Sequence, residues 1–294
     1  MKNYILKFSL LLTILVISCS PKLKDPLAEA DFVTWYDDYY TLQYIDSTTI
    51  AIGEPRYHQR NYSYLVIGTE RAILFDTGPG IRNIEPVVQS LTNLPIMVTQ
   101  SHLHYDHVGN HARFEGAYLP DLPQLRERSE NGFFKAKSKE HLGFVENIKS
   151  PKIKVKNWWA MDTIIDLGER KLRIIHTPGH TEESISIYDL ERKYLFSGDF
   201  LCPGPNLAAV PGSDLNEYLE STNVLLDVTG PEIKLLAGHR NELAEKEGAP
   251  MLGYSDLSDL KKGLEAIISD TKKGKGFIIK NYKINDRIEL ITDL

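Results

Sequence analysis

The sequence predicts an αββα sandwich: two mixed β-sheets packed face to face with helices on the outside. Two observations predict it. Two successive sets of short β-branched and aromatic runs, one before residue 100 and one from about residue 163, alternate with segments of helical periodicity. In both sets an apolar run ends directly on Asp or His, so polar side chains gather at strand ends. The 294 residues, 42% hydrophobic and 25% charged, suffice for a domain with a substantial core. A net charge of −6 gives no reason to expect a nucleic-acid surface, and no nucleic acid is expected as a partner.

The chain opens with Lys2 and Lys7 around an apolar run, Phe8 to Ile17, broken only by Ser9 and Thr13. The run is shorter than the roughly 20 residues a membrane-spanning helix needs, and it fits the apolar region of a secretory signal. Val16-Ile17-Ser18-Cys19 resembles a bacterial lipobox, which implies a signal peptide over residues 1–18 and lipid on Cys19. Residues 19–40, with Pro21 and Pro26, are expected to form a tether, and residues 41–294 the domain. Lipidation leaves Cys202 without a disulfide partner, because the chain holds only two cysteines.

Strands are expected at Thr49–Ile52, Tyr62–Ile67 and Arg71–Phe75, the last ending on Asp76-Thr77-Gly78. Ile84, Val87, Val88 and Leu91 have helical spacing, and Pro95–Thr99 is a buried strand leading into Ser101-His102. The second set comprises Thr163–Leu167, Lys171–Ile175, Ser184–Tyr188, Lys193–Ser197 and Ile233–Ala237, with helices at Leu215–Val228 and Leu257–Ile268. Residues 112–160 separate the sets. They are rich in charge and aromatics and are expected to form a helical lid, with Phe133, Phe134, Trp158 and Trp159 as an apolar wall for substrate.

His102-Leu103-His104-Tyr105-Asp106-His107 places four ligand-type side chains within six residues, just after a buried strand. Imidazole nitrogen suits zinc, and a carboxylate adds a harder oxygen donor. Thr177-Pro178-Gly179-His180, Ser197-Gly198-Asp199 and Ala237-Gly238-His239 each follow another apolar strand and each deliver one more donor. Core packing does not explain three repetitions of that arrangement. His58, His111, His141 and His176 lie outside these motifs, and Cys202 is expected to be a small buried group near the pocket.

The ordered set HxHxDH, His, Asp, His resembles the metallo-β-lactamase superfamily from about Tyr44 onward. The resemblance implies that His102, His104 and His180 hold one metal and Asp106, His107 and His239 a second. It implies that Asp199 bridges the two and that Asp76 orients a ligand histidine. Two Zn2+ are expected, although such donors also accept iron or manganese. The implied activity is hydrolysis of an ester, lactone, thioester or amide of a small molecule by metal-bound hydroxide, with Asp106 and Asp199 as catalytic residues.

Several features separate the chain from named branches. The bridging Asp199 is absent from true β-lactamases, which leaves β-lactam cleavage as a side reaction at most. It resembles the glyoxalase II and lactonase branches, yet Cys202 stands where such lactonases carry Tyr, and Cys202-Pro203-Gly204-Pro205 replaces the glutathione-contacting segment. An iron-dependent oxidoreductase is the alternative within the fold, although its usual Glu replacement of a histidine is not seen. The expected place is the bacterial envelope, anchored by lipid on the periplasmic face, because Ser20-Pro21-Lys22-Leu23-Lys24 is not acidic.

Overall fold

The computed structural model describes residues 23–26, 28–241 and 246–293, so Cys19 and the signal segment lie outside the described residues. The first sheet has nine strands: β1 (Thr34–Trp35), β2 (Thr41–Asp46), β3 (Thr49–Gly53), β4 (Tyr62–Ile67), β5 (Ala72–Phe75), β6 (Ile96–Thr99), β7 (Ala117–Pro120), β8 (Phe133–Phe134) and β9 (Ile153–Trp159). They lie in the order β1-β2-β3-β4-β5-β6-β7-β9-β8. Pairing is antiparallel from β1 to β5 and parallel from β5 through β6 and β7 to β9.

The second sheet has the order β10-β11-β12-β13-β15-β16. Its strands are β10 (Ile164–Asp166), β11 (Lys171–His176), β12 (Ile185–Asp189), β13 (Tyr194–Gly198), β15 (Lys234–Ala237) and β16 (Met251–Gly253). A small third sheet sets β14 (Gly204–Ala208) beside β18 (Ile288–Thr292) and β18 beside β17 (Lys280–Lys283).

Alternation along the strands explains the layering. Tyr64, Val66, Ile73 and Phe75 of the first sheet pack with Leu172, Ile174, Ile187, Phe196 and Leu236 of the second, forming the core between them. The alternate residues Leu65 and Leu74 point outward under Val87 and Val88 of the helix Glu85–Leu91. Ile175, Leu195 and Leu235 point outward under Tyr218 and Leu225 of the helix Leu215–Val228 and Leu257, Leu260 and Leu264 of the helix Tyr254–Ile268. The result is the expected sandwich of sheets with helices outside.

One buried ion pair of the second sheet also hydrogen-bonds to the first. The Arg170 guanidinium donates to Asp189 Oδ2 at 2.7 and 2.6 Å, and it also donates to the Thr48 carbonyl at 2.9 Å and to Thr49 Oγ1 at 2.7 Å. Arg170 and Asp189 lead into and close strands of the second sheet, whereas Thr48 lies in the β2–β3 turn of the first and Thr49 opens β3.

Residues 112–160 differ from the helical lid expected of them. They supply β7, β8 and β9, which extend the first sheet, and only short helical turns between them. The period-two alternation of Ile153-Lys154-Val155-Lys156 is the physical reason, since burial alternates along it from Ile153 inside to Lys154 outside. Phe134 packs in a core cluster, Trp159 is buried and stacked on Tyr118, and Trp158 lies under the Arg126 guanidinium. The described part of the segment expected as a tether also packs down: Leu23 bridges to Tyr57, Glu29 pairs with Arg240, and Tyr39 and Tyr40 are buried.

Candidate metal centre

The strand ends of both sheets meet at one edge. The loop after β6 brings His102 to His107, the loop after β11 brings His180, the turn after β13 brings Asp199, and the turn after β15 brings His239. Gly198 makes the approach of the two sheets feasible. Its φ is +53°, and a Cβ there would lie 2.2 Å from the Cβ of Ser101, so only glycine fits between Asp199 and the loop carrying His102.

The expected donors come together in two sets. In the first, His104 Nδ1 lies 2.8 Å from His102 Nε2 and 3.2 Å from His180 Nε2. In the second, Asp106 Oδ2 lies 3.4 Å from His107 Nε2 and 3.3 Å from His239 Nε2, and the two ring nitrogens are 3.3 Å apart. Asp199 stands between them. Its Oδ1 is 3.3 Å from His107 Nε2 and 3.1 Å from His239 Nε2, while its Oδ2 is 3.8 Å from His180 Nε2.

These distances fit metal ions. A tetrahedral ion with bonds of about 2.0–2.1 Å holds its donors roughly 3.3 Å apart. Protons alone do not satisfy such a cluster: three imidazole nitrogens converge on one point in the first set, and Asp199 Oδ1 is buried with no hydrogen-bond partner.

The far nitrogens of the rings are held as well. Asp76 Oδ2 is 2.9 Å from His107 Nδ1 and also accepts from the Ser101 hydroxyl at 2.9 Å, while Asp76 Oδ1 accepts from the Ser101 amide at 2.6 Å. Asp76 reaches them from a left-handed backbone conformation, φ +65°, which Asp tolerates better than most residues. His102 Nδ1 contacts the Ser101 hydroxyl at 2.9 Å, His180 Nδ1 the Leu207 carbonyl at 2.7 Å and His239 Nδ1 the Gln59 carbonyl at 2.9 Å. Such contacts fix ring orientation and tautomer. The Asn61 amide donates to Asp106 Oδ2 at 3.1 Å, and buried Glu183 accepts from the Leu103 amide, pinning the turn between His102 and His104.

Sequence reasoning misses Ser101, Gln59, Asn61, Glu183 and the Leu207 carbonyl. Adjacency to His102 could have pointed to Ser101. Backbone carbonyls carry no sequence signal at all.

Electrostatics divide the sets. Burial pushes His102 well below the usual imidazole range and His104 down to about 3, and the neighbouring histidines add to both shifts. The first set is thus neutral and ready to donate lone pairs. Burial works in the same direction on His107 and His239, but the Asp199 and Asp106 carboxylates outweigh it, carrying His107 well above its ordinary value and His239 up to about 10. Burial would raise Asp106 and Asp199, yet His107 and His239 hold both well below the usual carboxylate range.

Beside the donors opens a pocket of about 230 Å³, lined on one side by Pro203, Pro205, Leu207 and Ile291. Cys202 also borders it, with Sγ 3.4 Å from the Gly198 carbonyl and the thiol pushed upward by burial and by Asp199. The other histidines stay out of both sets. His58 pairs with Glu146, His111 contacts Thr77 and Gln100, His141 packs on Tyr105, and His176 is turned to the Glu182 carbonyl. None of the aromatics expected as an apolar wall lines this pocket.

Comparison with known proteins agrees with this geometry. Residues 58–239 match the family model described as "Metallo-beta-lactamase superfamily". The chain is 25% identical to the acyl-coenzyme A thioesterase MBLAC2 of Homo sapiens over 235 residues, 69% of this chain and 82% of that protein. It is 27% identical to the probable metallo-hydrolase YqgX of Bacillus subtilis, over 66% of this chain and 93% of that one. A solved metallo-beta-lactamase from Pontibacter korlensis shares the fold, with TM-score 0.55, 20% identity, and coverage of 77% of this chain and 99% of its own. From the matched family and the strand-end donors, the chain belongs to the metallo-β-lactamase superfamily and is a metal-dependent hydrolase.

Proposed function

We propose that the chain hydrolyses a carboxylic thioester or ester of a small acylated molecule at two zinc ions that share Asp199. The observation that carries this reading is the Asp199 carboxylate, which turns one oxygen toward each donor set. His102, His104 and His180 would hold one ion, and Asp106, His107 and His239 the other. Bound there, such ions would supply an ionised water at neutral pH and would neutralise charge developing on the substrate carbonyl oxygen.

The chain's own groups do the rest. Asp76, Gln59 and the Leu207 carbonyl fix the rings. Asp106, held by Asn61, stays ionised and keeps a charged oxygen beside His107 and His239. Pro203, Pro205, Leu207 and Ile291 offer an apolar side to the acyl part of a substrate. The thioesterase named among the relatives supports the choice of bond.

Cys202 is the competing nucleophile; burial and the Asp199 carboxylate push its thiol upward, which supports the metal-centred reading. Purified protein is expected to carry two ions per chain and to cleave acyl thioesters or aryl esters in a screen that also includes lactones, β-lactams and phosphodiesters. Cys202→Ala is expected to keep at least about half of that activity. A folded, fully metal-loaded Cys202→Ala protein without turnover would sink the mechanism.

We place the enzyme in the bacterial envelope, held by lipid on Cys19 at the periplasmic face, on the strength of Val16-Ile17-Ser18-Cys19. Mass spectrometry of membrane-extracted protein is expected to show an acylated N-terminal Cys19. A mature chain beginning elsewhere would exclude it.

A further inference from the structure

The small third sheet carries a feature that neither the metal centre nor the core explains. Between β17 and the helix Tyr254–Ile268 the chain makes a tight hairpin, closed by paired backbone bonds of 2.8 Å between Lys275 and Asn281. At its tip Phe277 is 93% exposed and Ile278 44%. Gly276 sets this up: its φ is +111°, and a Cβ there would lie 2.1 Å from the Ile279 carbonyl oxygen, so the turn that thrusts Phe277 outward needs glycine.

Charge surrounds the tip. Residues 270–283 contain five lysines (272, 273, 275, 280 and 283) and one aspartate, a local balance of +4 in a chain of net −6. Lys273 pairs with Asp270 and Lys283 with Asp286. Lys272, Lys275 and Lys280 form no ion pair among the described residues. An apolar tip ringed by lysines on an otherwise acidic protein complements an anionic bilayer surface, where apolar side chains enter the headgroup boundary and lysines bind phosphates. A protein partner is a poorer match, because two apolar side chains fall far short of the roughly 800 Å² a stable interface takes from each side.

The hairpin is also registered with the active-site pocket. Asn281 pairs with Ile291, and Ile291 pairs with Leu207, so hairpin base and pocket wall lie in one row across the sheet. Two strand spacings, about 10 Å, separate them. We propose that the Lys275–Asn281 hairpin is a membrane contact, which seats Phe277 and Ile278 in an anionic bilayer and brings the pocket mouth to the lipid surface. The proposal depends neither on the hydrolytic reading nor on lipid at Cys19.

Hydrogen exchange at the hairpin itself tests it, in the full chain, so that membrane binding through residues 8–17 does not confuse the readout. With vesicles of phosphatidylcholine containing about 30 mol % phosphatidylglycerol, exchange at residues 276–280 is expected to slow at least about fivefold, and phosphatidylcholine alone is expected to have no effect. Lys272→Glu with Lys275→Glu, and separately Phe277→Ser with Ile278→Ser, are each expected to abolish the slowing. Metal content is expected to stay unchanged and melting temperature nearly so, since Phe277 is 93% exposed and Ile278 44% exposed. No slowing with anionic vesicles, equal slowing with phosphatidylcholine alone, or slowing that survives the charge reversal would each overturn the proposal.

Discussion

Replacing Asp199 with alanine is expected to lower turnover about a thousandfold or more, equivalent to at least ~4 kcal/mol of transition-state stabilisation, and to leave the protein with fewer than two ions. The carboxylate approaches both donor sets. The substitution also changes how metal binding responds to pH. In the metal-free protein burial pulls His239 down, but Asp199 leads the carboxylates that lift it to about 10. A raised value means that the stability contributed by the protonated ring is complete below about pH 6.5 and is lost as pH rises through about 10. Metal must displace that proton, so wild-type affinity is expected to tighten as pH rises across the same window. In Asp199→Ala the dependence is expected to flatten. Chelator competition at about pH 6.5 and about pH 8.5, with metal analysis, reads both effects. A variant that retains two ions and wild-type turnover would mean that Asp199 does not bridge.

The largest effect on stability is expected away from the metals. Asp189→Ala leaves the Arg170 guanidinium buried between the sheets without its counter-charge, which typically costs about 3–5 kcal/mol. The double variant Arg170→Met with Asp189→Ala is expected to recover much of the loss, because it removes the stranded charge as well. Urea unfolding of the two single variants, the double variant and wild type gives the coupling directly. A loss below about 1 kcal/mol in Asp189→Ala would show that water or Thr48 and Thr49 solvate the guanidinium adequately. Turnover of folded, metal-loaded protein is expected to be unaffected.

The donors were legible because each follows an apolar strand after one short turn, so local sequence alone exposes it. Thr177-Pro178-Gly179-His180 and Ala237-Gly238-His239 are self-contained signals of this kind. Strands β3 to β6 of the first sheet and β10 to β13 with β15 of the second are legible as β-branched and aromatic runs, and so is the helix Leu215–Val228 with its observed ends, whereas β1, β2, β7, β8, β9 and β16 are not. Nor is the third sheet. Pro205 argues against a strand, and it is tolerated because β14 is an edge strand paired only with β18. The wall of the pocket therefore stayed hidden, since it forms only when Leu207 meets Ile291, 84 positions later in the chain. In residues 112–160 the charge and aromatics resemble a helical insertion, whereas the alternation in Ile153-Lys154-Val155-Lys156 makes a strand. The partners of the rings depend on tertiary approach: the Gln59 carbonyl reaches His239 across 180 residues.

The strand-end donors have a consequence for when the enzyme can mature. His102 and His104 precede His180 by more than 75 positions, and the Asp106–His107 pair waits for His239. Neither set is complete until both sheets exist and have closed on each other. A chain emerging from a ribosome or a secretion channel therefore offers only a partial chelate, which a competing thiol or small-molecule ligand can strip. Full retention begins once the last donor arrives, late in the chain. Metal loading then follows folding in time, and wherever the protein completes its fold is the compartment whose metal supply it records.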